Sequence, residues 1–78
     1  MPRIKDLPGP YWFYFYSFDC DEPRHVHVRR DRRSCKFWLE PIGLERNRGF
    51  AERELSEIRS LIEKHYDRII EAWHEHCG

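Results

Sequence analysis

Two histidines separated by one residue are the side chains of this chain most able to do chemistry. They lie in the run Pro-Arg-His-Val-His-Val. Alternate residues of a strand point to opposite faces, so His25 and His27 would share one face, while Val26 and Val28 would share the other. Imidazole titrates near neutral pH and can pass a proton to or from the 2′-hydroxyl of RNA. The pattern therefore indicates a site, with Arg29 on the same face to stabilise phosphate charge.

The histidine pair has three interpretations. The first is metal-independent RNA cleavage, with His25 or His27 as the general acid or base and Arg29 as the phosphate clamp. The second is metal binding, which needs a third and a fourth ligand; the candidates are Asp19, Asp21 or Glu22 of the preceding turn and Glu40 of the third strand. The third is a structural pair that bonds to backbone or carboxylate groups. No Cys or His has a confirming spacing, so the sequence assigns no residue as a metal ligand and no cofactor, and metal binding stays an alternative.

The net charge of zero conceals a basic middle segment. Residues 24–48 contain eight basic and three acidic side chains, a net charge of +5, between flanks of −2 and −3. Arginine outnumbers lysine 11 to 3, and its planar guanidinium suits phosphate or carboxylate. This pattern favours an anionic partner for the middle segment. The alternative is that these arginines lie opposite the acidic C-terminal part of the same chain.

The elements that must position these residues are three strands and a helix. Residues 11–18 are aromatic almost throughout, residues 24–30 contain the histidines, and residues 35–40 alternate and end at a proline. Short connections between these runs predict an antiparallel meander, followed by a loop over residues 41–49. From about residue 51, apolar side chains recur every three or four positions, as in a helix. We expect an α+β fold with a small three-stranded antiparallel sheet and one long C-terminal helix packed on one face (βββα), as a single domain over residues 1–78.

Alternation along the strands divides the predicted sheet into two faces. The core face comprises Phe13, Phe15, Val26, Val28, Phe37 and Leu39. The opposite face comprises Tyr14, Tyr16, His25, His27, Arg29, Lys36, Trp38 and Glu40. Aromatic residues on an open face could stack on nucleic-acid bases or form a protein interface. The remaining interpretation is that the N-terminal segment covers this face. The predicted binding residues are Tyr14, Tyr16, Lys36, Trp38, Arg30, Arg32 and Arg33.

The cysteines and the apolar runs bear on the cellular compartment. Cys20, Cys35 and Cys77 are odd in number and have no CxxC spacing, which argues against a disulfide framework or a zinc knuckle. They favour the reducing cytoplasm. We expect no signal peptide, and the longest apolar run, residues 11–18, is too short to cross a membrane. We therefore expect a cytoplasmic protein that does not engage a membrane.

Four stretches together are similar to a family of small bacterial domains of unknown function. They are Met1-Pro2-Arg3-Ile4, the run over residues 23–28, the link over residues 44–50, and the helix ending Glu-Ala-Trp-His-Glu-His at residues 71–76. The hallmark of that family is Pro-x-His-x-His-Val, followed by a C-terminal helix that closes on Trp. The resemblance implies a bacterial protein with a protein partner encoded nearby, in gene pairs suspected to be toxin–antitoxin modules. It carries no established activity.

The leading functional hypothesis is a toxin–antitoxin-type component that engages RNA or a partner protein through the face carrying His25, His27 and Arg29. If it is an enzyme, the sequence favours a metal-independent, ribonuclease-like activity. The alternative is a non-catalytic interaction module that forms a homodimer or binds a partner through its aromatic sheet face. A metal-binding domain is the third hypothesis.

Overall fold

The computed structural model describes residues 3–5, 7 and 9–78. Four strands form one antiparallel sheet in chain order, and two helices follow. The strands are Trp12–Tyr14 (β1), His25–Arg30 (β2), Arg33–Leu39 (β3) and Ile42–Arg48 (β4); the helices are Glu52–Lys64 (α1) and Tyr66–Cys77 (α2). The predicted α+β class and antiparallel meander are confirmed. The prediction of three strands and one helix is wrong, because the described residues form four strands and two helices. Met1 and Pro2, part of the family resemblance, lie outside the described residues.

The missed strand is β4, which the sequence assigns to a loop. β4 pairs with β3 along its length, with a register shift between Lys36 and Phe37. From Leu44 onward all its residues are exposed. An outer strand in water does not need the apolar alternation by which strands are recognised. Its polar sequence therefore predicts a loop where the structure has a strand.

The missed helix boundary lies at His65, between α1 and α2. His65 has a non-helical ψ of 24°, although its amide still donates to Leu61 O and its carbonyl accepts from the Ile69 amide. The hydrogen bonding is therefore nearly continuous, and the apolar spacing of three and four residues passes through the break. Neither Gly nor Pro marks this position, so the periodicity alone predicts a single helix.

One core fills the space between the sheet and the helices. The six residues predicted for the core face are all buried, at 0 to 2% exposure. Ile58 and Ile62 of α1 and Ile69 and Trp73 of α2 pack into the same cluster. At the start of α1, Ala51 has no capping side chain, but its amide donates to Glu54 Oε1 at 3.1 Å. Glu54 thus satisfies one of the amides left unpaired at the helix start.

The aromatic run leaves the sheet earlier than the sequence predicts. β1 ends at Tyr14, and the chain then crosses over the N-terminal end of β2 through a short 3-10 helix, Asp19–Asp21. We call residues 15–22 the crossing segment. A disulfide between Cys20 and Cys77 joins this segment to the end of α2, and Cys35 is a buried free thiol. The expectation that none of the cysteines pair is therefore wrong for two of them.

Candidate functional site

Three buried polar side chains meet beneath the crossing segment. His25 and His27 share one face of β2, as their spacing predicts, and Asp19 approaches them from the 3-10 helix. Asp19 is held there by its own backbone neighbourhood, because Asp19 Oδ2 accepts the Tyr16 amide at 2.7 Å. The exposures are 2% for Asp19, 0% for His25 and 7% for His27. We call these three residues the histidine–aspartate cluster.

The contacts within this cluster are short, but their angles at the imidazole nitrogens are not those of hydrogen bonds. Asp19 Oδ1 lies 3.1 Å from His25 Nε2, and Asp19 Oδ2 lies 3.0 Å from His27 Nε2. Both Nε2 atoms are buried without a hydrogen-bond partner. His25 Nδ1 donates to Pro23 O at 2.8 Å, since a carbonyl can only accept. A neutral His25 therefore turns the lone pair of Nε2 toward a carboxylate oxygen.

The charge states of the cluster follow from its surroundings. Burial would raise the pKa of Asp19, but the Tyr16 amide and the two imidazoles outweigh it and lower that pKa below its usual value. Burial lowers the pKa of His27 below its usual value, although the Asp19 carboxylate acts in the opposite direction. The cluster thus combines an ionised carboxylate with a neutral His27 at neutral pH.

The sheet face away from the helices, which we call the open face, carries two rows of side chains. Each row crosses all four strands in register. The outer row is Trp12, Arg29, Ser34 and Arg48; the inner row is Tyr14, His27, Lys36 and Arg46. Four cationic side chains therefore lie on one face of a small sheet.

A cavity of about 120 Å³ lies among these rows. It is lined by Tyr14, Tyr16, His27, Ser34, Cys35, Lys36, Arg46 and Arg48, and we call it the cationic pocket. Lys36 is neutralised in part by Glu22, whose Oε1 lies 2.7 Å from Lys36 Nζ. In the described part of the chain, Arg46 and Arg48 belong to no ion pair. The pocket is therefore a positively charged recess with phenol, hydroxyl and imidazole groups in its walls.

Aromatic rings surround the pocket on one side. Tyr14 stacks on His27 with ring centroids 5.4 Å apart, and Tyr16 meets His27 edge-on at 4.7 Å. Tyr14 is buried, and burial together with the neighbouring phenol of Tyr16 raises the pKa of Tyr14 above its usual value. Trp12, by contrast, is 44% exposed and lies beneath Arg3 and Arg29, whose guanidinium carbons are 4.0 and 5.3 Å from its ring centre.

The predicted site residues fall into three groups. Arg29 lies in the outer row of the open face. The cationic pocket is lined by His27, Lys36 and the two tyrosines, and Trp38 lies beneath Lys36 at 4.6 Å from its Nζ. His25 is on the same face but enclosed, so contact with a large substrate requires the crossing segment to move. Arg30 lies over the Tyr11 ring, Arg33 pairs with Glu54 of α1 at 2.7 Å, and Arg32 is exposed in the β2–β3 turn. These last three arginines are not part of the open face.

Several contributors to the open face were not among the predicted site residues. Arg46 and Arg48 lie on the unrecognised strand β4, and Trp12 and Ser34 occupy the register positions beside Arg29. The available signal was the spacing Arg-x-Arg, which places two side chains on one face only if the segment is a strand. The sequence offers Asp19 only as one of several metal-ligand candidates, because it does not indicate that the chain turns back over β2.

Fold and site together define a small α+β domain that carries a cationic open face and an enclosed histidine–aspartate cluster. The chain belongs to the family DUF4160, described as a domain of unknown function, whose model matches residues 11–74. No curated protein and no solved structure matches it. Among the described residues, no helix has the length and apolar character needed to cross a membrane.

Proposed function

We propose that this protein binds single-stranded RNA through the open face of its sheet. The observation that carries the proposal is the pair of cross-strand rows, which place Arg29, Lys36, Arg46 and Arg48 on one surface beside the exposed ring of Trp12. Single-stranded nucleic acid is bound by cationic surfaces that follow the backbone and by aromatic rings on which bases stack. A cationic side chain and an exposed aromatic ring are present here on adjacent strands, at Arg29 and Trp12.

The size of the cationic pocket supports a phosphate as the group bound there. A cavity of about 120 Å³ is well below the roughly 300–1,000 Å³ of sites that enclose a small molecule. Arg46 and Arg48 form no ion pair in the described residues, so their guanidinium groups are available to a phosphate, which they can bind in a bidentate manner. A base stacked on Trp12 would lie in the outer row, next to Arg29.

Binding is better supported than cleavage. Of the two predicted catalytic histidines, His25 is fully enclosed, and the Nε2 atom of His27 faces Asp19 at 3.0 Å. The ribonuclease assignment to His25, His27 and Arg29 stays a prediction. Its test is expression of the protein in a bacterial host, where His25→Ala or His27→Ala would abolish any growth arrest that depends on cleavage.

The binding test measures the salt dependence of RNA affinity. The affinity of the protein for a labelled single-stranded 12-mer RNA is measured by fluorescence anisotropy over a series of salt concentrations. Three phosphate contacts, at Arg29, Arg46 and Arg48, predict a slope of about −2 in log K against log salt, at roughly −0.7 per contact. The double variant Arg46→Ala/Arg48→Ala should bind more weakly, with a slope near −0.7.

The matched control removes two positive charges elsewhere. Arg53 and Lys64 are exposed residues of α1, which packs against the other face of the sheet, so Arg53→Ala/Lys64→Ala should keep the full slope. Equal slopes for the two double variants would show that any binding is unspecific attraction to positive charge. A wild-type protein that binds no RNA at low salt would refute the proposal.

We also propose, as the second candidate function, a protein partner of the toxin–antitoxin type or a second copy of this chain. The observation that favours it is Phe18 of the crossing segment, which is 66% exposed and stacks on Tyr16 at 5.4 Å. Exposed aromatic rings are frequent centres of protein interfaces. Light scattering of the purified protein, alone and with the product of a neighbouring gene, tests this, and Phe18→Ser should abolish the complex. A monomer that binds no neighbouring gene product would count against it.

A further inference from the structure

We propose that the histidine–aspartate cluster is a binding site for one divalent transition-metal ion of the zinc class. Its ligands are His25 Nε2, His27 Nε2 and the Asp19 carboxylate, whose ligand atoms all lie within 4.8 Å of one another. This site adjoins the RNA-binding surface proposed above, because His27 also lines the cationic pocket, but Asp19 and His25 are enclosed beneath the crossing segment.

The arrangement of hydrogen-bonding groups is the first argument. Two buried imidazole nitrogens face one carboxylate, and neither has a hydrogen-bond partner. Buried polar atoms without a partner are rare in folded proteins, because each loses its bonds to water and gains none. The Nδ1–H of His25 already donates to Pro23 O, so Nε2 is the nitrogen that carries the lone pair in the neutral ring. One cation placed among the three groups would satisfy both nitrogens and the carboxylate together.

The supporting contacts are the second argument. A histidine that binds a metal usually donates its other ring N–H to a backbone carbonyl or carboxylate, which fixes the ring orientation and the tautomer. His25 makes this contact with Pro23 O at 2.8 Å, and the Tyr16 amide orients Asp19 at 2.7 Å. Both ligands are therefore fixed in place by the backbone of neighbouring residues.

The distances are the third argument. Two atoms each about 2.0–2.1 Å from a zinc ion, at an angle of about 90–110°, are roughly 2.8–3.4 Å apart. The oxygen–nitrogen distances of 3.1 and 3.0 Å in the cluster lie within this interval. Two imidazoles and one carboxylate suit zinc and similar first-row ions rather than magnesium or calcium, which prefer oxygen ligands throughout. Three protein ligands leave a fourth position for a solvent molecule.

The role we infer for this ion is to hold the crossing segment on β2. Asp19 comes from the crossing segment, whereas both histidines come from the strand beneath it, so an ion bound by all three joins the two. A second group of possible ligands, Cys20, Cys77 and His76, lies nearby. Its two sulfur atoms are bonded to each other, so in this oxidised state they are not available as thiolate ligands.

The experiment uses the full chain, free of any affinity tag and with the disulfide intact. After treatment with a chelator and dialysis, the protein is titrated with zinc sulfate by calorimetry. We expect one equivalent to bind, and the melting temperature to rise by about 10–20 °C at a free zinc concentration 100 times the Kd. In a protein labelled with ¹⁵N, zinc should shift the Nε2 resonances of His25 and His27. This last measurement needs no variant, so it decides the question even if ligand substitutions prevent folding.

Variants distinguish the cluster from other histidines and from the cysteine pair. His27→Gln should weaken zinc binding at least about 100-fold, since even loss of a supporting contact to a ligand costs about 10–100-fold. His74→Gln, at an exposed histidine of α2, and the double variant Cys20→Ser/Cys77→Ser should each retain one equivalent. Cobalt should give visible bands without a thiolate charge-transfer band.

Three results would overturn the proposal. The first is zinc binding well below one equivalent with no change in melting temperature. The second is binding that survives His27→Gln but is lost in the double cysteine variant. The third is ¹⁵N resonances of His25 and His27 that do not respond to zinc.

Discussion

Reduction of the Cys20–Cys77 disulfide should remove a large part of the stability of this protein. The bridge joins residues separated by 57 positions, which leaves only the first 19 residues and Gly78 outside the closed loop. In the chain-entropy model, closing a loop of this length restricts the unfolded chain by about 14 cal/mol/K, or about 4 kcal/mol at 25 °C. A 78-residue chain at 0.05–0.15 kcal/mol per residue has a total free energy of unfolding of only about 4–12 kcal/mol.

The assay is thermal unfolding followed by circular dichroism, with and without a phosphine reductant. A loss of about 4 kcal/mol should lower the melting temperature by about 15–30 °C in a domain of this size. The variant Cys20→Ala/Cys77→Ala should melt near the reduced wild-type protein and should not respond to reductant. Cys35→Ala leaves the bridge in place, so this control should keep the full response to reductant.

Two results would refute this reasoning. One is a count of three reactive thiols per chain in the unreduced, denatured protein, because it would mean that the bridge does not form. The other is a melting temperature that is the same in the oxidised and the reduced protein. In that case the unfolded chain would have to be compact enough for the cross-link to restrict it very little.

Three further predictions follow from the packing. Trp73→Ala should cost about 3–5 kcal/mol, because Trp73 is 5% exposed and meets the rings of Phe15 and His25 at 5.4 and 5.3 Å; an unchanged denaturation midpoint would contradict this burial. Cys35 should resist alkylation at pH 9 until the protein unfolds, because burial raises its pKa to about 12; mass spectrometry of the labelled native protein checks this. Tyr66→Phe should cost about 1 kcal/mol, since the hydroxyl of Tyr66 donates to Leu39 O at 2.8 Å; chemical denaturation measures it, and no loss would mean that water replaces the bond.

The sequence predicts the strands that pack against the helices, because their buried side gives an alternating apolar pattern. The alternation Val26, Val28, Phe37 and Leu39 identifies the core face correctly, because a strand covered on one side by helices must be apolar on that side. Strand β4 carries no such signal, since its residues from Leu44 onward are in water. For the same reason, Arg46 and Arg48 could not be placed on the open face from the sequence.

The histidine pair shows a second limit of sequence reasoning. The shared face of His25 and His27 follows from strand geometry alone, and the structure confirms it. Their burial does not follow, because it depends on where the chain goes after Tyr14. The aromatic run predicts a longer first strand, whereas the chain turns away so that Phe15 can pack on Trp73 of α2 at 5.4 Å. The burial of the histidines thus depends on tertiary contacts between residues far apart in sequence, which strand geometry alone does not predict.

The outer position of β4 has a consequence for self-association. A strand at the rim of a sheet presents unpaired backbone groups that can add a strand from another molecule, and charged side chains oppose such growth. Glu45, Arg46 and Arg48 are exposed along this rim, so they keep neighbouring molecules apart as well as forming part of the cationic surface. Replacing the two arginines with apolar residues would therefore make the protein more prone to ordered aggregation.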